Sequence, residues 1–137
     1  MRIVVVDGQG GGLGRALVER ILRELPEAEL VAVGANALAT AAMLKAGATA
    51  CATGENAVAY NCARADVIVG ALGIGFANAM HGEISPAMAR AVSESRALKL
   101  LLPVSRCNVE IIGAAERSMS AQLDEVAVRL RILATEQ

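Results

Sequence analysis

The chain has 137 residues, 55% hydrophobic and 20% charged, with a formal net charge of −1 and a mean hydropathy of +0.48. That composition excludes intrinsic disorder, which needs low hydrophobicity and high net charge, and the charge balance gives no electrostatic footing for nucleic acid or an anionic membrane. The length predicts one domain spanning 1–137, large enough to bury a core without staples.

Along the chain, Ile3-Val4-Val5-Val6 is a short β-branched run with apolar residues on both faces, as in a strand of a parallel sheet covered on both sides. A glycine-dense loop, Gly8 to Gly14, follows at once. Leu17, Val18, Ile21, Leu22 and Leu25 then recur at helical spacing, and Pro26 stops that helix. Leu30 to Val33 is a second strand, ended by Gly34. Asn36 is placed to cap a helix over Ala37–Ala46, with Gly47 as its stop. Ala50-Cys51-Ala52 reads as a brief third strand, and Asn56 as the cap of a helix through Ala63. Val67-Ile68-Val69 is the fourth strand, closed by Gly70. Ser85-Pro86 starts a helix that runs to about Val92. Ala97 to Val104 reads as a fifth strand, Val109 to Ile112 as a sixth, and residues 118–133 as a C-terminal helix. Strands alternate with helix-sized crossovers, which predicts an α/β fold: a doubly wound, Rossmann-like three-layer sandwich on a mostly parallel sheet of five or six strands. Tyr60 and Phe76 are the only aromatics, so Ala, Val, Leu and Ile supply the buried volume.

Ligands of such sheets bind beyond the carboxyl ends of the strands, where strand order reverses. Those segments therefore carry the functional expectations. Gly8, Gln9, Gly10, Gly11, Gly12, Leu13 and Gly14 stand between a strand and a helix start, where free N–H groups and the helix dipole favour an anion, most often phosphate. The spacing Gly8-x-x-x-Gly12-x-Gly14 resembles the short-chain dehydrogenase fingerprint. The stricter Gly-x-Gly-x-x-Gly pattern and the P-loop both fail. NAD(P) or another nucleotide is the expected cofactor class. Against a dehydrogenase, the end of the second strand reads Gly34-Ala35-Asn36, with no acid for a ribose. Tyr60 is followed at the catalytic spacing by Arg64, not lysine.

Asn36, Thr53, Gly54, Gly70 and Gly73 are expected to line the crevice. Arg106 and Asn108 follow the fifth strand, where Arg106 offers a phosphate fork. His81 near Glu83 suits acid–base chemistry, although a lone histidine is also an ordinary turn residue. Cys107 reads equally as a nucleophile or as a small buried hydrophobe, and Cys51 and Cys62 as the latter. Three widely spaced cysteines and one histidine predict neither a zinc site nor a disulfide framework, so no metal and a cytoplasmic location are expected. The N-terminus has no signal-peptide pattern. Val67 to Met80, a long charge-free run, falls short of the ~20 residues of a membrane span. Met119, Leu123, Val126, Leu130 and Leu133 form a seam at heptad spacing, which packs on the chain's own sheet or joins subunits. A homo-oligomer is the expectation.

Four segments together, Asp7 to Gly12, Thr40 to Ala48, Ala52 to Ala57 and Pro103 to Glu110, resemble a family of small bacterial proteins, domain of unknown function family 3842. The resemblance spans Met1 to Gly113. It implies that these segments share a functional surface, and it supplies no activity. The expected partner is a phosphate-bearing small molecule held at the glycine loop. The alternatives are a small NAD(P)-dependent oxidoreductase or acid–base enzyme using His81, Glu83 and Cys107, and an interaction protein whose glycines serve packing alone.

Overall fold

The structure is a computed structural model that describes residues 1–104 and 108–137. Five strands, β1 (Arg2–Asp7), β2 (Glu29–Gly34), β3 (Ala50–Thr53), β4 (Val67–Ala71) and β5 (Leu98–Leu102), form one sheet in the order β3-β2-β1-β4-β5. Every pairing is parallel. The helices are α1 (Gly12–Glu24), α2 (Ala37–Lys45), α3 (Glu55–Cys62), α4 (Pro86–Glu94) and α5 (Met119–Thr135), with a 3-10 turn at Leu72–Gly75.

Alternation along β1 explains the three layers, because successive side chains of a strand leave on opposite faces. Ile3 and Val5 pack with Leu17, Val18 and Ile21 of α1, Met43 of α2, and Val126 and Leu130 of α5. Val4 and Val6 pack with Val58 and Cys62 of α3 and Met88, Ala89 and Val92 of α4. A strand buried on both sides must be apolar throughout, and Ile3 to Val6 is. The chain winds outward from β1 to β3, then crosses to β4 on the other side of β1. Strand order therefore reverses between β1 and β4, which is the doubly wound arrangement.

Local chemistry sets the ends of the elements. Leu25 returns its N–H to the Ile21 carbonyl (2.7 Å) and Pro26 follows, closing α1. Asn36 caps α2 by accepting from the Ala39 N–H (2.9 Å). Gly47, at φ 111°, turns the chain out of α2. Ser85 caps α4 by accepting from the Met88 N–H, and Pro86 takes the first helical position. Ser118 caps α5 by accepting from the Ala121 N–H.

Several expectations are corrected. The cap of α3 is Gly54, not Asn56. Gly54 takes a φ of 103° closed to most side chains, and its carbonyl accepts the Val58 N–H, so the helix begins at Glu55 with an acid at its positive end. β5 is shorter than 97–104, because the Ala97 N–H is taken by Ser95 Oγ and the Val104 N–H folds back onto the Leu102 carbonyl. α4 runs two residues past Val92. Val109 to Ile112 is not a strand: no neighbouring strand pairs with it, and without a ladder even β-prone residues stay irregular. The heptad seam is internal to the chain at Val126 and Leu130, while Met119 at its start is exposed.

Candidate functional site

The glycine loop leaves β1 at Asp7, whose side chain is only 8% exposed. Its carboxylate turns into the loop. Oδ1 accepts from the N–H groups of Gln9 (2.9 Å) and Gly11 (3.1 Å), and Oδ2 from that of Gly14 (2.8 Å). A buried carboxylate requires such donors, and the amides that open a helix supply them. Asp7 therefore fixes the loop and occupies three of its amides. Those of Gly10, Gly12 and Leu13 have no protein partner among the described residues.

The glycines divide into two groups. A methyl on Gly14 would stand 2.8 Å from Asp7 Oδ2 and 2.7 Å from Met43 Sδ. One on Gly8 would meet Met80 Sδ at 2.7 Å as well as Ile84, and one on Gly11, itself at φ 86°, would meet Ala39 and Ala42 of α2. Packing alone explains these three. Gly10 and Gly12 differ, because a methyl on either meets nothing within 4 Å and neither has a left-handed backbone.

Beside Gly10 and Gly12 lies a cavity of about 230 Å³ at the carboxyl end of β1, lined among others by Asp7, Gly8, Leu13, Ala71 and Met80. It sits at the β1/β4 reversal, where ligands of such sheets bind. Residues 76–85 form a cover over Gly8 and reach the cavity through Met80. Met80 and Ile84 of this cover are buried against Gly8, and Asn78, Met80 and His81 all take positive φ (65°, 56° and 55°). For Met and His that conformation costs roughly 1 kcal/mol each, so buried packing holds the segment in place.

The remaining expected residues that the structure describes do not line this cavity. Asn36 donates its amide to the Gln9 carbonyl (2.7 Å) and to Glu83 (3.3 Å), which ties the end of β2 to the loop and to the cover. Glu83 and His81 are exposed and share no hydrogen bond. Thr53 Oγ1 shares a 2.7 Å hydrogen bond with Thr40 Oγ1, which ties β3 to α2, and the Gly54 N–H donates to the Gly34 carbonyl at the end of β2; neither residue lines the cavity. Gly70 lies within β4, where a methyl would stand 2.6 Å from the Val6 carbonyl, and strand packing requires it to be glycine. Gly73 is buried in the 3-10 turn and accepts from the Phe76 N–H. Asn108 is exposed at φ 63°. Arg106 and Cys107 lie outside the described residues. Cys62 is buried among α3 and α4, which pushes its thiol up to about 11, and burial raises Cys51 as well.

Sequence reasoning passed over Asp7 and Met80. Asp7 could have been found: an acid placed at a strand end before a run of free amides has donors waiting for it. Met80 had no such signal, because its place depends on how the cover folds back. Among the described residues no three His, Cys, Asp or Glu side chains gather in a metal-binding group, and no helix is long and apolar enough to cross a membrane.

No curated protein matches the sequence. Among solved structures, the fold is similar to a dodecameric FMN-dependent UbiX-like decarboxylase from Escherichia coli O157:H7, at a TM-score of 0.40 and 16% identity over 94% of this chain and 92% of that one. A likeness of that degree carries neither flavin, reaction nor assembly to this chain. Over residues 2–134, however, the sequence matches the model of a single family throughout, and the chain belongs to it: the domain of unknown function DUF3842.

Proposed function

We propose that the chain binds a phosphate-bearing small molecule, either a nucleotide such as NAD(P) or a phosphorylated metabolite, in the crevice beside the glycine loop. One observation carries this reading. Gly10 and Gly12 are glycines that neither packing nor backbone conformation requires, and they stand with unpaired amides at the reversal point of the sheet. Glycine has an entropic cost in the unfolded chain, so its use where nothing crowds it points to something that must approach the backbone closely. Asp7 supports the same reading by holding the loop rigid before any ligand arrives, which lowers the ordering cost of binding.

The carboxylate also limits the ligand. The amides of Gly10, Gly12 and Leu13 remain for it, beside an acid that already offsets the positive end of α1. A phosphate sharing its charge in a diester or pyrophosphate suits that field better than a free dianion does. The experiment is a thermal-shift panel of NAD, NADP, ATP, FAD and sugar phosphates. The reading expects at least one to raise the melting temperature at about millimolar concentration, by the mass-action stabilisation of a native-state ligand. No shift with any of them contradicts it.

A further inference from the structure

Among the described residues β5 is an edge of the sheet, paired with β4 on one side only. The Leu98 N–H donates to the Asp66 carbonyl on the β4 side (3.0 Å). By strand alternation the main-chain groups of Leu100 and Leu102 face the same way, and those of Lys99 and Leu101 face the open side. The edge is apolar and uncovered in part: Leu98 is 41% exposed, and Leu100 and Leu101 are half-buried. An open, apolar edge is a template for another strand, and proteins ordinarily blunt or cover it.

Along this edge runs a groove of about 560 Å³, with Val126, Gln122 and Arg129 of α5 on one wall. Gln122 Oε1 is buried there with no hydrogen-bond partner, although its Nε2 donates to the Arg117 carbonyl. A buried acceptor left unpaired is costly and calls for a donor. Lys99, Arg117 and Arg129 also line the groove, against the single acid Glu125, which Arg117 already pairs. The unfilled groove is therefore cationic, and it needs N–H donors, apolar side chains and a carboxylate.

The chain itself holds a segment with those properties. Val109-Glu110-Ile111-Ile112 is β-prone and carries one acid and no base. It pairs with no strand, and Ile111 and Ile112 are 45% and 90% exposed. Two apolar β-branched residues in water, next to an unfilled apolar edge, are two halves of one interaction. We propose that a second copy of this chain supplies Val109–Ile112 as the sixth strand on β5, and receives β5's partner segment in return. The exchange is two-fold symmetric, so one contact made twice closes the dimer. Glu110 of each segment meets the Lys99 and Arg129 charges of the other copy, and the added backbone gives donors to the strand edge and to the Gln122 wall.

The test uses charge reversal, which reads the partner and not the fold, since Glu110 and Arg129 are both exposed and neither makes an ion pair among the described residues. By light scattering at about 100 μM, the unaltered chain should show twice its monomer mass. Glu110→Lys and Arg129→Glu should each weaken the dimer by about tenfold or more, through like charges brought face to face. Mixing the two variants should restore a dimer containing one of each, because both contacts are then matched. Three results overturn the proposal: an unaltered chain that stays monomeric, which includes a sixth strand supplied within the same chain; variants that dimerise as tightly as the parent; and a mixture that forms no heterodimer.

Discussion

The Asp7 side chain turns into the glycine loop, toward the amides that open α1. The carboxylate takes three of those amides for the protein itself, so the loop is folded whether or not a ligand is present. That arrangement separates the glycines that serve packing, Gly8, Gly11 and Gly14, from Gly10 and Gly12, which serve none. The sequence marks all five alike, because spacing shows where a loop can turn and not which backbone atoms another helix will touch. Cys62 illustrates burial at the same scale. Its thiol is held neutral in the folded chain up to about pH 11, while the unfolded thiol ionises near 9.0. The folded state therefore keeps its proton over a range in which the unfolded state loses it, and stability contributed below pH 9 falls as pH rises from about 9 to about 11. Urea midpoints measured across that range should drop, by an amount on the order of 2 kcal/mol from this thiol. In Cys62→Ala the drop should be shallower; an equally steep one would show that the thiol does not ionise on unfolding.

The elements divide into those whose ends are set locally and those set by a neighbour. α2, α4 and α5 start at Asn36, Ser85 and Ser118, side chains that accept from an N–H three residues on; the first two caps were legible for that reason, and the one at Ser118 was not singled out. β1 and β4 were legible because strands covered on both faces are apolar at every position. The start of α3 was misread because a capping asparagine and a left-handed glycine stood two residues apart, and the glycine took the role. Residues 109–112 have strand-forming side chains, yet a strand exists only with a partner, and among the described residues no strand pairs with them. α5 can be tested directly. Leu130 is buried against α1 and the sheet, whereas Ile132 is 43% exposed on the same helix. Leu130→Ala should cost about 2–5 kcal/mol in urea unfolding and Ile132→Ala under about 1. Equal costs would mean that α5 does not dock through the Val126–Leu130 face.

At the scale of the whole molecule, the strand order β3-β2-β1-β4-β5 puts the reversal point between β1 and β4. A cavity of about 230 Å³ lies there, and residues 76–85 reach it through Met80. The doubly wound arrangement followed from alternating strands and crossovers. The position of the glycine loop within the site followed from the general rule for such sheets. The cover did not, because its backbone is fixed by Met80 and Ile84 packing on Gly8, a contact between residues more than 70 positions apart. The central claim is that Gly10 and Gly12 are kept bare for a phosphate-bearing ligand. Its most direct measurement is calorimetric titration of Gly10→Ala and Gly12→Ala, with urea unfolding on the same samples, using whichever nucleotide or sugar phosphate stabilises the parent chain. The account predicts unfolding midpoints within about 0.5 kcal/mol of the parent and affinity lowered by about tenfold or more. Unchanged affinity with the fold intact would contradict it.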